Sequence, residues 1–401
     1  SAAPKDTTIR YTRWAGTDEA KSFQILVDTF MKQNPDIKVE TEFLPWNAYW
    51  DKRRTMILSG QAPDVISFSH LMSAPYVTKN ALYDMSKLPG AKALLEEMQP
   101  GTKAAVLYQG KIYGMPVGSG VRALIYNKDM FDEAGIPYLS NKKPLTWDEF
   151  VKIGQKLTKV DEKGNVIQYA AHFHKMEMWE SLVVQAGGQY VDNYTRPTKV
   201  LVNTPEGVAG LQFMLDLIKK KIIPPFGEEW NGPWGTPDSA VATKKVAIMQ
   251  TGPWGLGPLY DNKMNIGTAP LFMNKKRANR GYINFLAIAR NSKNVNAAWK
   301  FIKWMCSEKG QLEFTKTGDL PANVKAFEAS KKLQIQPAEI MEAFYSELPY
   351  VITGPMVPSD EFQTMSEQII QDMCQERITP QEAAKRLEEQ GNKLIKKIYS
   401  E

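Results

Sequence analysis

The segment TIRYTRWAGTDEAKSFQILVDTFMKQNPDIKVETEF, from Thr8 to Phe43, decides the fold class of this chain. Its beginning alternates apolar and polar residues with the period of a β-strand, and its centre repeats apolar residues at helical spacing as far as Asn34. From Ile37 the period of two returns. This order of strand, helix and strand predicts a parallel sheet with helices on its faces.

The same alternation continues to residue 69. NAYWDKRRTMILSG (47–60) has the character of a helix closed by a glycine, and PDVISFS (63–69) that of a short buried strand, so the order is βαβαβ. Ligands of such sheets bind beyond the carboxyl ends of the strands. We therefore expect Trp14, Trp46 and Phe68, which follow or end the three strands, to lie on one rim.

Length and composition indicate two globular domains. A chain of 401 residues with 43% hydrophobic residues exceeds the roughly 250–300 residues at which single cores stop growing. The Gly/Ser break at 118–120 suits a hinge between the domains. GSGVRA (118–123) also matches a dinucleotide-binding pattern by letter, but LIYN follows it, which is a strand where that motif requires a helix.

Charge and cysteine content exclude several classes of protein. The net charge is +6, but the basic residues lie mostly in short helical runs such as Lys219–Lys221 and Lys396–Lys397, which are typical of solvated helix faces. We therefore expect no nucleic-acid partner. Cys306 and Cys374 lie in apolar helical contexts, which predicts two buried thiols and no disulfide framework.

No window reaches the roughly 18 apolar residues that a membrane span requires, and the leading SAAPKDTT lacks the apolar core of a signal peptide. Such a beginning fits a cytosolic terminus and equally the mature end that remains after signal removal.

Catalytic and metal-binding motifs do not emerge from the pattern. His172 and His174 share a strand face but have no spaced carboxylate to complete a metal site, and Glu177 and Glu180 stand at the spacing of a solvated helix face. Walker, GxSxG and HExxH motifs do not occur. We expect neither a metal nor a cofactor.

Trp254 stands in a turn, behind Gly252 and Pro253, and Trp230 stands in a similar loop. A tryptophan held in a turn is expected to contact a ligand, because its rigid ring offers a large face at low entropic cost. The alternative is that Trp254 packs as a wedge in the core of its own domain.

Seven segments in the same order along essentially the whole chain resemble the extracellular solute-binding proteins of sugar ABC transporters, of the maltose-binding type. They are residues 30–68, 110–137 (GKIYGMPVGSGVRALIYNKDMFDEAGIP), 146–150 (TWDEF), 185–188 (QAGG), 204–225, 244–254 (KKVAIMQTGPW) and 286–311. The resemblance implies an α/β type II periplasmic-binding-protein fold, in which two α/β lobes joined by three crossovers close around an oligosaccharide.

By this resemblance, Phe68 and Trp254 correspond to stacking positions of maltodextrin binders and Asn284 to a position of polar contact. Leu71 and Gly120 replace acidic sugar ligands of that pattern, so maltose itself is not expected. The complete set of expected ligand-binding residues is Trp14, Thr17, Asp18, Trp46, Phe68, Ser119, Arg122, Glu177, Trp179, Trp230, Trp254 and Asn284. Arg122 could bond two adjacent hydroxyls or a uronate, or pair with a carboxylate of its own lobe.

The Gly/Ser break at 118–120, the strand at 282–288 and the LPAN stretch at 320–323 predict that residues 1–118 and 284–322 form lobe one and residues 119–283 and 323–401 form lobe two. The resemblance implies a monomeric, extracytoplasmic binding protein without enzymatic activity that delivers sugar to ABC permease subunits, and that is either free in the periplasm or attached to the membrane by an N-terminal lipid anchor outside this chain. The alternatives are a secreted lyase or glycosidase, and a binder of non-sugar solutes such as phosphodiesters or metal ions.

Overall fold

A computed structural model describes residues 7–228, 232–333, 336–357 and 359–400. The chain divides into two compact units. Unit 1 comprises residues 1–119 and 282–335, and unit 2 comprises residues 120–281 and 336–401. The chain therefore passes between the units three times.

Strands and helices are numbered along the chain. The strands are β1 (Thr7–Trp14), β2 (Ile37–Leu44), β3 (Val65–Ser69), β4 (Leu107–Tyr108), β5 (Lys111–Ile112), β6 (Met115–Val121), β7 (Ala123–Asn127), β8 (Lys159–Val160), β9 (Val166–His172), β10 (Val246–Thr251), β11 (Ile266–Ala269), β12 (Asn279–Ile288), β13 (Leu320–Pro321) and β14 (Val351–Ile352). The helices are α1 (Thr17–Gln33), α2 (Trp46–Leu58), α3 (Ala74–Thr78), α4 (Ala91–Glu96), α5 (Pro100–Lys103), α6 (Lys128–Glu133), α7 (Trp147–Leu157), α8 (Lys175–Gln185), α9 (Pro205–Lys219), α10 (Leu256–Asp261), α11 (Val295–Met305), α12 (Glu308–Phe314), α13 (Val324–Leu333), α14 (Ala338–Glu347), α15 (Asp360–Cys374) and α16 (Pro380–Ser400).

Unit 1 is built on a sheet with the strand order β2-β1-β3-β12-β6-β13. The βαβαβ order predicted for its beginning is confirmed, and β1 pairs in parallel with both β2 and β3. β12 runs antiparallel to β3, with Asn284 opposite Ser69 and Ile288 opposite Val65. The carboxyl ends of β1 and β3 consequently lie at the same edge of this sheet as the beginning of β12.

Unit 2 is built on a second sheet with the order β11-β7-β10-β9-β8. β10 is parallel to β9 and antiparallel to β7, so that Thr251 at the end of β10 lies opposite Ala123 at the start of β7. A capping box begins α7, because the Glu149 backbone N–H donates to Thr146 Oγ1 and the Thr146 N–H donates to the Glu149 carboxylate.

The Gly/Ser stretch 118–120 belongs to β6, a buried strand, and the change of unit falls between Ser119 and Gly120, inside the stretch that was expected to suit a hinge. The third passage was expected after Ala322 but falls after residue 335. α13 stays with unit 1 because the Val324 N–H donates to the Glu97 carbonyl at 3.0 Å and Asn323 Nδ2 to the Glu97 carboxylate at 3.1 Å.

Both cysteines are buried thiols, as the sequence predicted. Within the described residues, none of the helices combines the length and the apolar character that a membrane span requires.

Candidate functional site

The first candidate surface, here called the unit 1 edge, lies at the carboxyl ends of the parallel strands of unit 1. Trp14 ends β1 and Trp46 begins α2, and their ring centroids lie 5.0 Å apart at an interplanar angle of 81°. Trp50, one turn further along α2, packs against both rings. Trp46 remains 42% exposed, so this cluster presents an aromatic face that its own unit leaves uncovered.

A buried ionic network lies directly beneath this aromatic face. Arg13 is 1% exposed and donates from Nη2 to Asp319 Oδ2 at 3.0 Å, and Tyr282 donates its hydroxyl to Asp319 Oδ1 at 3.1 Å. The Arg13 guanidinium also lies over the Phe23 ring, 4.0 Å from its centroid. Burial raises the pKa of Asp319, and the Arg13 charge opposes that rise. The network therefore holds a charged pair in place behind the tryptophans.

The remaining unit 1 candidates take different positions. Thr17 is exposed at the start of α1, whereas Asn284 is buried on β12 and its side chain hydrogen-bonds to Asp319. Ser119 is buried on β6 opposite Leu320. The side chain of Asp18 lies outside the described residues.

Phe68 is not a stacking residue of the unit 1 edge. It has no accessible surface and stacks on Phe285 at a centroid distance of 5.5 Å, with Trp50 and Tyr76 as further neighbours. The strand that carries it is buried on both faces, so its ring enters the core of unit 1 instead of reaching the rim. The prediction that Trp179 contacts the ligand is wrong for the same reason, since Trp179 is 1% exposed and packs edge-on against Tyr190 inside unit 2.

The second candidate surface, here called the unit 2 edge, is formed where β9 and β10 end and β7 begins. Arg122 precedes β7, His174 follows β9 and Trp254 follows β10, so the sheet register brings the three positions to the same edge. Arg122 forms an ion pair with Glu177 in the first turn of α8. Its guanidinium carbon also lies 5.5 Å from the centroid of the Trp254 ring.

The position of Trp254 explains the glycine that precedes it. The six-membered ring of Trp254 folds back over Gly252 so closely that a Cβ on residue 252 would overlap it. The backbone of Gly252 has a φ of −86°, which any residue can adopt, so the glycine is required by the ring and not by the turn. The GPW turn thereby holds the indole at the end of β10, where it is half-buried.

A carboxylate that the sequence analysis missed completes the unit 2 edge. Asp238 Oδ1 accepts a hydrogen bond from Thr251 Oγ1 at 2.6 Å and lies 3.1 Å from Nε2 of His174. Burial acts to raise the pKa of Asp238, but His174, Arg122 and the Thr251 hydroxyl outweigh it and hold that pKa well below its ordinary value. Asp238 is therefore an anionic hydrogen-bond acceptor at neutral pH.

Glu177 is ionised for a similar reason. Burial acts to raise its pKa, but the charges of Arg122 and Arg280 outweigh burial and leave the pKa below its ordinary value. Arg122, His174 and Asp238 supply the donors and acceptors that hydroxyl groups require, and Trp254 supplies an apolar plate beside them. Trp230, the remaining candidate, lies outside the described residues, within which no cluster suited to a metal ion is found.

Comparison with known proteins finds relatives that are named as sugar-binding proteins. The chain is 25% identical to a maltotriose-binding protein of Pyrococcus abyssi over 294 residues, which are 72% of this chain and 60% of that relative. It is 24% identical to a multiple sugar-binding protein of Streptococcus mutans over 366 residues, 86% of this chain and 82% of the relative. The chain thus spans less than two thirds of the length of the first of these relatives.

Among solved structures, an ABC substrate-binding protein of Listeria monocytogenes in complex with cycloalternan matches with a TM-score of 0.86 and 24% identity, over 98% of this chain and 99% of that one. This likeness confirms the α/β type II periplasmic-binding-protein fold predicted from the sequence. The family model described as "Bacterial extracellular solute-binding protein" matches residues 14–312. Since that match covers well over half of the sequence, the chain belongs to the bacterial extracellular solute-binding protein family.

Proposed function

We propose that this protein is the extracytoplasmic substrate-binding component of an ABC importer for a neutral di- or oligosaccharide. The observation that carries the proposal is the pairing, at the sheet edge of each unit, of a tryptophan face with a polar network. A pyranose ring has apolar C–H faces and a rim of hydroxyls, so it requires both kinds of surface. The relatives named above as binding maltotriose, multiple sugars and cycloalternan support the sugar class.

We propose a neutral ligand because Arg122 already has a carboxylate partner in its own unit. Its guanidinium is engaged in an ion pair with Glu177 and lies against Trp254, so a uronate would compete with a carboxylate of the same unit. Ionised Asp238 beside it would also repel an acidic sugar.

We propose that the protein binds the sugar without catalysing any reaction of it. The protein binds the sugar and delivers it unchanged, and the sugar-bound form is the one that the permease subunits recognise. The protein then acts outside the cytoplasmic membrane, in keeping with the extracellular family to which it belongs.

A thermal-shift screen over neutral oligosaccharides tests this function. The cognate sugar at 100 times its dissociation constant is expected to add about 2.7 kcal/mol to the free energy of unfolding. Calorimetry of that sugar should give nearly the same affinity at low and high ionic strength, since no charge of the ligand is screened. Preference for a uronate-containing sugar, with affinity that falls as salt is added, would contradict the neutral assignment. Release of reducing ends from the bound sugar would indicate the secreted enzyme instead.

Trp254→Ala is expected to weaken binding of the cognate sugar by about 1–3 kcal/mol, because the variant loses the apolar plate at the unit 2 edge. Calorimetry measures the change. Trp304→Ala serves as the control, since Trp304 is half-buried on α11 and hydrogen-bonds to Gln33 away from either edge. Unchanged affinity in Trp254→Ala would show that the indole is a packing residue of unit 2.

A further inference from the structure

A cavity of about 310 Å³ lies in unit 1, outside both candidate edges. It is lined by residues at the end of α2, before β3, after α3 and after β12. Val65 begins β3 and pairs with Ile288 near the end of β12, so this side of the sheet is opposite to the edge at which Trp14 ends β1. The cavity is therefore separate from the proposed sugar site.

Positive charge and amide groups surround this cavity. Lys79 and Arg290 are the charged residues that line it, and both are exposed. Within the part of the chain that the structure describes, neither side chain takes part in a hydrogen bond or an ion pair. Asn80 and Asn291 add two side-chain amides to the lining. Cationic and amide side chains that have no hydrogen-bond partner among the described residues are available to a ligand that carries negative charge.

The carboxylates closest along the chain do not compete for these donors. Asp64 is 8% exposed and accepts hydrogen bonds from the Arg10 N–H at 2.9 Å and from Ser292 Oγ at 2.6 Å. Asp84 is 6% exposed and accepts from the backbone and hydroxyl of Ser86. Both carboxylates are therefore engaged by partners other than Lys79 and Arg290.

The rest of the lining is apolar. Ile57, Leu58, Ala62, Ala81 and Ala289 contribute methyl and methylene groups. The carboxyl end of α2 adds a partial negative charge of about half a unit, which is smaller than the two formal positive charges of the lining. The lining thus combines anion-binding groups with apolar side chains. An inorganic ion has no apolar group that could contact those side chains.

Gly60 makes room for one of the side chains that line this cavity. Its φ of +72° lies in the left-handed region, and the Asn291 side-chain amide lies where a Cβ of residue 60 would stand. The absence of a side chain at residue 60 therefore lets the amide of Asn291 reach the cavity from the loop after β12.

We propose that this cavity binds a small organic anion, a carboxylate or phosphate joined to a short apolar group, held by Lys79 and Arg290. Unit 1 also carries more Lys and Arg than Asp and Glu, whereas unit 2 has nearly equal numbers, so the net charge of +6 resides in unit 1 and favours approach of an anion. The site is independent of sugar binding and of the proposed import function.

Saturation-transfer NMR on the whole chain tests the site, with n-butyrate and n-butyl phosphate as anionic probes and n-butylammonium as a probe of similar shape and opposite charge. Saturable binding of at least one anion is expected, and none of the ammonium. The double variant Lys79→Ala/Arg290→Ala should bind that anion at least tenfold more weakly. The matched control Lys87→Ala/Lys92→Ala removes two exposed charges of the same unit outside the cavity and should leave binding unchanged.

A second variant distinguishes the contribution of the cavity's shape to anion binding from that of its positive charge. Ala62→Leu fills part of the apolar wall while it retains both cations, and it should also abolish anion binding. Circular dichroism melting of each variant confirms that it is folded. The proposal is overturned if neither anion binds saturably, if Ala62→Leu binds as well as the original chain, or if the control variant loses as much affinity as the Lys79/Arg290 variant.

Discussion

Replacing Asp319 with Ala is expected to lower the free energy of unfolding by about 3 kcal/mol, at the lower end of the range for broken buried ion pairs. The variant leaves the guanidinium of Arg13, 1% exposed, without the carboxylate that it contacts at 3.0 Å. Glu19, 4.0 Å away, compensates only in part. Urea denaturation followed by circular dichroism and tryptophan fluorescence measures the loss.

The chain offers a matched control in the same unit. Asp36 pairs with Lys300 at 3.2 Å, with both side chains 46% exposed. Asp36→Ala should therefore cost less than about 1 kcal/mol. The double variant Arg13→Met/Asp319→Leu should recover most of the stability that Asp319→Ala loses, since it removes both charges together. A loss in Asp319→Ala no larger than in Asp36→Ala would contradict the assigned role of the buried pair.

Glu180→Gln is expected to change how stability depends on pH. Glu180 is 5% exposed, and its Oε1 lies 3.5 Å from Nη1 of Arg280, while its Oε2 has no hydrogen-bond partner among the described residues. Burial raises the pKa of Glu180 from its ordinary value of 4.5 to about 7, against the opposing charge of Arg280 and with a contribution from Glu177.

The direction of this pH dependence follows from whether the folded or the unfolded chain holds the proton on Glu180. Between pH 4.5 and pH 7 the folded chain keeps the proton on Glu180, whereas the unfolded chain has lost it. Stability from this group is therefore fully present below pH 4.5 and falls as pH rises to about 7, by up to about 1.4 kcal/mol per pH unit and about 3 kcal/mol in all.

Urea denaturation at pH 5 and pH 8 measures this effect as the difference in the free energy of unfolding between Glu180→Gln and the original chain. Glu180→Gln stays neutral throughout, so its stability relative to the original chain should improve from pH 5 to pH 8. Glu367→Gln, which removes an exposed carboxyl group from α15, controls for the loss of one acidic group. The expectation fails if the difference between Glu180→Gln and the original chain is the same at both pH values.

Much of the framework was predictable from local pattern. The alternation of periods over the first seventy residues correctly predicted the βαβαβ order and its parallel pairing. The burial of both cysteines was also predicted correctly. These features depend on residues within a few positions of one another, so the sequence displays them directly.

The candidate site was predictable only in part. Trp14 and Trp46 lie together, as their positions after neighbouring parallel strands indicated, and Arg122 and Trp254 lie together in unit 2. The roles of these residues in sugar binding stay predictions. Phe68 and Trp179 were wrongly placed because a residue near a strand end or helix start can face either the core or the rim, and the letters of the sequence do not distinguish them.

By itself, the sequence determined the α/β class, the parallel order of the first strands and the resemblance to a family, because all three reside in local periodicity and in the order of segments. Only the tertiary structure decided which polar residues meet. Arg13 and Asp319 stand 306 positions apart, and Thr251 and Asp238 join through the end of β10, with no spacing that would have indicated either contact. Such pairs form because burial of the apolar strands brings distant loops to a common edge, where a buried charge is stable only beside a partner.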